Sequence, residues 1–210
     1  MALVKYNNNS ISSVTATASL PAGGMTHIKT VTASSSATIS FVNGTSDVVL
    51  DDTYPIYVFK VINAHPGTDN INFTFNGSDD TSSHSYDISK TTSVFNAYHK
   101  EDDSEAAMGY NTYDDLANGT GFQSLSSYGQ QGTDNDMCLC SEIYLFNPSS
   151  TTYVTHFICR TQWYQREDRS IDVYTAGYFN TTAAITAIQF KMSSGNIDAG
   201  TFKLYGIKDS

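Results

Sequence analysis

The chain has 210 residues, of which 40% are hydrophobic and 12% aromatic, and it carries a formal net charge of −10 at pH 7. This charge argues against a nucleic-acid-binding protein, which needs Lys and Arg to replace counterions on phosphates, and against docking on an anionic membrane. No run of about 18 apolar residues occurs, so we expect no membrane-spanning helix. The first residues lack an apolar segment of signal-peptide length, so we expect the protein to be made in a cytoplasm.

Aromatic residues are abundant, with 14 tyrosines and 11 phenylalanines. Thr, Tyr, Phe, Val and Ile favour the pleated, half-buried surface of a sheet, and the frequent Ser, Asn, Asp and Gly favour turns. Helix formers are scarce, with only 11 Lys and Arg together. The composition therefore predicts an all-β protein.

Residues 1–24 show little periodicity and end in the turn-forming run Pro21-Ala22-Gly23-Gly24. We interpret them as an N-terminal arm with one short strand around residues 11–18. Such an arm is either disordered or laid on a neighbouring subunit. The remainder, residues 25–210, is expected to form one domain.

Alternation of apolar and polar residues predicts strands along most of this domain. In one example, Ala37, Ile39 and Phe41 share one face while Thr38 and Ser40 share the other. About ten short strands at this spacing predict a jelly-roll-like antiparallel β-sandwich with long loops. In chain order, the candidate strands lie at residues 25–33, 37–42, 54–63, 70–75, 85–89, 91–98, 137–147, 152–160, 170–177, 184–192 and 201–207.

Three pairs of consecutive strands are expected to form hairpins. Residues 25–33 would pair with 37–42, residues 139–147 with 152–160, and residues 184–192 with 201–207. The last pair flanks a glycine-bounded connection and ends almost at the C-terminus. Because this final strand would complete a sheet, we expect a truncation there to be costly.

Residues 101–131 are predicted to be an irregular insert. They are first acidic and then rich in Gly, Asn, Ser and Tyr, without a sustained period. A long irregular segment in a β domain is either exposed and functional or ordered against another subunit.

The three cysteines are Cys138, Cys140 and Cys159, too few for a disulfide framework. If Asn147 faces Thr152 across the expected hairpin, Cys140 faces Cys159. Facing residues on antiparallel strands lie close enough for their thiols to touch. Two interpretations stay open at this point: a cross-strand disulfide formed after release, or two buried reduced thiols that pack as small hydrophobes, which we favour.

No catalytic or cofactor-binding motif is found. The sequence contains no Gly-x-Ser-x-Gly elbow, no phosphate-binding glycine loop and no His-Glu-x-x-His. His156 would share a strand face with Val154 and Ile158, which favours a packed or rim histidine over a catalytic base. We therefore predict no catalytic residues among the histidines, which are His27, His65, His84, His99 and His156.

Acidic clusters are the only metal candidates, because carboxylate oxygens suit Ca²⁺. None matches a twelve-residue calcium loop, so we predict no metal site and no cofactor. The aromatics Trp163, Tyr164 and Tyr174 can stack on sugars or pack in the core, and we favour packing. The acidic clusters are Asp51-Asp52, Glu101-Asp102-Asp103 with Glu105, Asp114-Asp115, and Asp134-Asn135-Asp136.

Four segments resemble a family of small virion structural proteins, of the head-decoration or fibre kind, from marine tailed phages including those of cyanobacteria. They are residues 51–57 (DDTYPIY), 63–69 (NAHPGTD), 144–152 (YLFNPSSTT) and 189–207 (QFKMSSGNIDAGTFKLYGI). The resemblance runs over most of the chain and offers no catalytic residues. It implies location in the virion, synthesis in the host bacterial cytoplasm, many copies and symmetric assembly.

The leading hypothesis is therefore a non-enzymatic virion component: a capsid decoration, head fibre or tail part. Its expected partners are copies of itself, with a trimer favoured by analogy with other jelly-roll virion modules, and other virion proteins. The alternative is a tail-fibre module that binds host-surface glycans. A hydrolase acting on cell-surface polysaccharide is a third and weaker hypothesis.

Overall fold

The computed structural model describes residues 24–126 and 131–208, and these form twelve β-strands with no helix among them. All strand pairs are antiparallel, so the predicted all-β sandwich is confirmed, with twelve strands instead of about ten. The predicted N-terminal arm, apart from Gly24, lies outside the described residues. The strands are β1 (Met25–Ser36), β2 (Ile39–Val42), β3 (Ile56–Pro66), β4 (Phe73–Ser78), β5 (Lys90–Lys100), β6 (Ala106–Tyr110), β7 (Gln123–Ser124), β8 (Leu139–Phe146), β9 (His156–Gln165), β10 (Arg169–Phe179), β11 (Ala187–Met192) and β12 (Ile197–Ile207).

The strands form an eight-stranded sheet, in the order β1-β12-β3-β8-β9-β10-β5-β6, and a four-stranded sheet, in the order β2-β11-β4-β7. Strand β1 pairs with β12, β2 with β11, β3 with β8, and β4 with β7. This nested pairing is the connectivity of a jelly roll, in which one long hairpin is wrapped into two sheets. The hairpins β5–β6 and β9–β10 are inserted into it and extend the first sheet.

The core lies between the two sheets and is rich in phenylalanine. Phe190 of β11 lies 5.6 Å from Phe59 of β3 and 5.6 Å from Phe202 of β12, measured between ring centroids. On its own sheet it stacks on Phe73 at 5.8 Å. All four rings are buried, so one aromatic cluster joins both layers.

Two of the three expected hairpins do not form, so those two predictions are wrong. Strands β1 and β2 lie in different sheets, and so do β11 and β12. At both places the chain crosses from one layer to the other, because each strand of the pair buries its apolar face in the same core from opposite sides. The third hairpin, between β8 and β9, is present.

The segment predicted as an irregular insert contains two short strands, β6 and β7. Strand β6 has the sequence Ala-Ala-Met-Gly-Tyr and is exposed at every residue. It lacks the alternation on which strand prediction relies, and its pairing with β5 holds it in place.

Lys90, the first residue of β5, fastens this insert to the sheet. Its backbone exchanges two hydrogen bonds with Gly119, and its ammonium donates to the carbonyl oxygens of Gly121 at 2.6 Å and Ile88 at 3.0 Å. The side chain is fully buried, and this burial lowers the pKa of Lys90 to about 8. The fold therefore buries a lysine whose ammonium charge lowers the stability of the folded state.

We expect the stability gained by Lys90→Met to shrink as the pH rises. Because the folded-state pKa of Lys90 lies below its unfolded value, the unfolded chain holds more protons between pH 8 and 10.5. The contribution of Lys90 to the stability of the natural protein therefore rises with pH through this window. Urea unfolding of both proteins measures the change in their free-energy difference, about 2 kcal/mol between pH 7 and pH 10.

The exposed Lys208→Met serves as the control, because it removes a lysine without touching the insert. A stability difference between natural protein and Lys90→Met that stays constant across this pH range contradicts the assignment of a depressed pKa to Lys90.

Candidate interaction surface

One face of the eight-stranded sheet packs on the core and the other points away from it. Strand β9 illustrates the alternation, since Phe157, Cys159 and Trp163 are buried while Ile158 and Arg160 are exposed. Neighbouring strands follow the same pattern through their register. We call the side that points away from the core the outer face.

The outer face carries an apolar patch where β10, β5 and β6 lie side by side. Phe95 of β5 is 44% exposed, and Met108 and Tyr110 of β6 are 77% and 57% exposed. Phe95 lies opposite Tyr110 on one side and Tyr174 on the other. We define the edge patch as these residues and their small neighbours: Phe95, Ala97, Ala106, Met108, Tyr110 and Tyr174.

The aromatic rings of the edge patch are ordered by stacking. The rings of Phe95 and Tyr174 lie 4.8 Å apart with an interplanar angle of 6°. The Arg160 guanidinium carbon lies 5.2 Å from the Tyr174 ring centroid, a cation–π distance. Arg160 is itself fixed by Asp172, to which its Nη2 donates a hydrogen bond at 2.6 Å.

Strand β6 also presents an unpaired backbone edge among the described residues, where β5 is its one partner. The Asn111 amide donates to Val94, and the Lys100 amide donates to Glu105. Because hydrogen-bonded pairs alternate along an antiparallel ladder, Ala107 and Gly109 point their backbone groups at β5. The backbone N–H and C=O groups of Ala106, Met108 and Tyr110 therefore point away from the sheet.

Acidic residues flank β6 on both sides. The preceding turn carries Glu101, Asp102, Asp103 and Glu105, and Asp114 and Asp115 follow the strand. Hydrogen bonds from Tyr98 and Arg169 hold the pKa of Glu105 below its ordinary value. The Tyr110 hydroxyl donates to Asp115 at 2.7 Å. The edge patch is thus an uncharged strip between two negative ends.

A shallow groove on the outer face lies between this patch and the β1 edge. Its floor is formed by strands β3, β8 and β9, and its walls include Lys60, Glu142 and Cys140. Lys60 donates to Glu142 at 2.6 Å, and this bond raises the pKa of Lys60. Two charged side chains of the groove, Lys60 and Glu142, are therefore already paired with each other in a surface ion pair.

The cysteines do not pair as the sequence suggested. Cys140 lies opposite Gln162, and Cys159 lies opposite Ile143. The register differs from the expected one by three residues, because the loop after Phe146 extends to Thr155. Cys140 is exposed on the outer face while Cys159 is buried in the core, and burial raises the pKa of the Cys159 thiol. Both open interpretations placed Cys140 opposite Cys159, and that prediction is wrong. Of these two residues, only Cys159 is a buried thiol.

The histidines lie on separate elements of the fold. His65 contacts the Asp134 backbone oxygen at 3.1 Å, and His84 lies 3.4 Å from the Thr186 hydroxyl. His27 contacts Thr30, His99 contacts Asp103, and the exposed His156 lies 6.0 Å from the Tyr178 ring centroid.

The acidic clusters are likewise distributed over turns. Hydrogen bonds from Thr53 lower the pKa of Asp51, and Ser104 donates to Asp102. Within the described ranges, no three His, Cys, Asp or Glu side chains are grouped closely enough to hold a metal ion. Nor do these ranges contain a helix with the length and apolarity needed to cross a bilayer.

The three aromatics considered for sugar stacking have different environments. Trp163 is fully buried, which confirms its packing role. The Tyr164 hydroxyl donates to Asp168 at 2.7 Å, and this bond raises the pKa of Tyr164 to about 12. Only Tyr174 belongs to the edge patch.

Sequence reasoning missed the other members of the edge patch, in particular Phe95, Met108 and Tyr110. One pattern would have indicated them: an uncharged five-residue run between two acidic turns, directly after a strongly alternating strand. That arrangement is typical of a hairpin whose second strand is an exposed edge.

Comparison with known proteins gives no relatives: no family model, no curated protein and no solved structure matches this chain.

We expect a thiol reagent to modify the folded protein in a fixed order. Cys140 reacts first because it is exposed, Cys138 follows because it is partly buried, and Cys159 reacts only after unfolding. Maleimide labelling followed by peptide mass spectrometry measures the order. The Cys140→Ser variant should lose the fast phase, and a Cys140–Cys159 disulfide in the folded protein would contradict the register.

Proposed function

We propose that this protein is a non-enzymatic structural component of a phage particle, a capsid decoration, head fibre or tail part, that assembles as a homo-oligomer. The observation that carries the proposal is the edge patch, in which exposed aromatic and apolar side chains adjoin an unpaired strand edge. Single exposed apolar residues are ordinary, but a contiguous patch indicates an interaction surface. Burying it against another copy removes this apolar area from water.

The architecture supports this proposal without being specific to it. Jelly rolls occur in viral capsid proteins, and also in lectins and cupins, so the fold alone does not assign a function. The resemblance of residues 51–57, 63–69, 144–152 and 189–207 to virion proteins of marine tailed phages favours the first of these classes. The net charge of −10 suits a protein made in many copies, because it limits nonspecific contact.

A second candidate function, glycan binding on the host surface, is favoured by one observation. The flat Tyr174–Phe95 stack lies beside the Arg160–Asp172 pair. Phe95 and Arg160 cover the two faces of the Tyr174 ring, so a sugar would pack on the exposed Phe95 ring while charged groups bind its hydroxyls. A glycan array separates the two functions, because a pure structural component binds none of the sugars, whereas a receptor-binding module loses its signal in Phe95→Ala.

We expect the purified protein to be an oligomer at micromolar concentration and to dissociate when the edge patch is made polar. The double substitution Met108→Ser with Tyr110→Ser removes two of its most exposed side chains. Loss of their burial weakens association by at least about 1.4 kcal/mol, a tenfold rise in dissociation constant. Sedimentation equilibrium over a range of concentrations measures this constant.

Tyr153→Ser is the matched control. Tyr153 is 72% exposed but lies in the loop between β8 and β9, outside the edge patch. Its replacement should leave the association unchanged. A stable monomer of the natural protein at these concentrations would count against the proposed function, and so would equal effects of the two replacements.

A further inference from the structure

We infer that the eight-stranded sheet continues from one copy to the next, with β6 of one copy pairing to β1 of its neighbour. This inference rests on the proposed self-association and specifies its geometry. Among the described residues, β6 pairs only with β5 and β1 pairs only with β12, so these strands are the two ends of one sheet. An unpaired strand edge is a template for pairing with another chain.

The backbone of β6 is suited to accept a strand. Ala106, Met108 and Tyr110 point their N–H and C=O groups away from β5, as the hydrogen bonds of Val94 and Lys100 establish. The strand contains no charged residue and no proline. A neighbour can therefore form a ladder along β6 without desolvating a charge or meeting a missing donor.

Charge selects β1 as the partner strand. Acidic residues flank β6 at both ends, whereas the sequence from Gly24 to Ser46 contains no Asp or Glu and carries Lys29 and His27 on β1. Lys203 of β12 lies beside β1, opposite Thr30. Pairing β6 with the β1 of a neighbour brings opposite charges together.

The competing arrangement, β6 paired with β6 about a twofold axis, has the opposite electrostatics. Antiparallel pairing centred on Met108 places the turn with Asp103 and Glu105 of one copy near Asp114 and Asp115 of the other. Lys100 and Arg169 pair with Asp102 and Glu105 in that turn, but its four carboxylates outnumber these two cations. A net repulsion between carboxylates therefore acts at both ends of the ladder. The two arrangements therefore differ in how their association depends on salt.

Strand direction is also consistent with a closed assembly. Seven antiparallel steps separate β1 from β6 in the sheet, so the two edge strands run in opposite directions. Rotation about an axis parallel to the strands preserves direction and presents β1 of the next copy antiparallel to β6. Because the contact joins different surfaces, it generates a ring when the rotation closes, in keeping with the trimer expected by analogy with other jelly-roll virion modules.

Cysteine cross-linking tests the pairing directly. Starting from a Cys138→Ser, Cys140→Ser background, the double variant Met108→Cys with Thr30→Cys is oxidised and run on a non-reducing gel. Within one chain these positions lie on opposite edges of the sheet, about 33 Å apart for seven strand spacings, so they link only between copies. We expect a ladder of linked species from the double variant and none from either single variant. Thr32→Cys replaces Thr30→Cys to cover a shift of register by two residues.

Proline substitution tests the role of the backbone edge. Met108→Pro removes an N–H that points away from β5 and so leaves the β5–β6 ladder intact, whereas Met108→Ala removes the side chain and keeps the N–H. We expect the dissociation constant of Met108→Pro to exceed that of Met108→Ala by at least about tenfold. Circular dichroism checks that both variants keep the fold.

Salt dependence tests the β6–β1 attraction when the natural protein is compared with Lys29→Gln. Salt also screens the repulsion between copies that each carry a net charge of −10. Raising the sodium chloride concentration from about 50 mM to about 500 mM should therefore favour association of Lys29→Gln more than that of the natural protein if β6 pairs with β1, and equally if β6 pairs with β6.

The outcomes separate this inference from the proposed function. A monomer under all conditions overturns both. An oligomer in which Met108→Cys alone cross-links, or in which Met108→Pro and Met108→Ala associate equally, overturns the β6–β1 pairing and leaves self-association standing.

Discussion

The packing of phenylalanine rings around Phe190 is the contact on which the two-layer fold depends. Phe190 meets Phe59 and Phe202 of the opposite sheet and Phe73 of its own. Each such aromatic pair contributes about 0.5–1.5 kcal/mol beyond the burial of its area. The pairs join strands that are far apart in the sequence, and the entropy of closing long loops opposes such pairing. The cluster offsets that cost for the eight nested strands of the jelly roll.

The inserted hairpins depend on this core but add little to it. Phe75 of β4 anchors the β9–β10 hairpin through Phe157 of β9 and Phe179 of β10, at 5.1 Å and 6.3 Å between ring centroids. Farther out, buried Lys90 fastens the chain at the start of β5, and at the sheet edge every residue of β6 is exposed. Burial therefore decreases from the jelly roll towards β6. This gradient places the edge patch where changes of sequence disturb the core least.

The sequence predicted where most strands lie but not which strands pair. Period-two alternation identifies the face that a strand buries, yet β1 and β2 bury their faces in one core from different sheets, and no local pattern distinguishes that arrangement from a hairpin. The register of β8 and β9 failed for a related reason. Asn147, with a positive φ of 48°, already lies in the loop although it was expected to end the strand. Thr152 and Tyr153 are good strand formers, so the sequence did not show that the loop continues to Thr155. The edge patch was missed because β6 is exposed on both faces and so has no alternation to detect.

An uncharged exposed edge is a hazard, because any extended chain can pair with it. The acids around β6 limit this hazard, since the surplus of carboxylates over cations at its two ends repels a second β6 and the overall negative charge repels other copies. The same acids attract a strand that carries a lysine and no carboxylate, as β1 does. A feature that opposes nonspecific aggregation thus also discriminates between partners, which is how specificity arises from repulsion as well as attraction. In the proposed assembly, the acidic turns of the insert direct strand pairing through the contacts that they prevent.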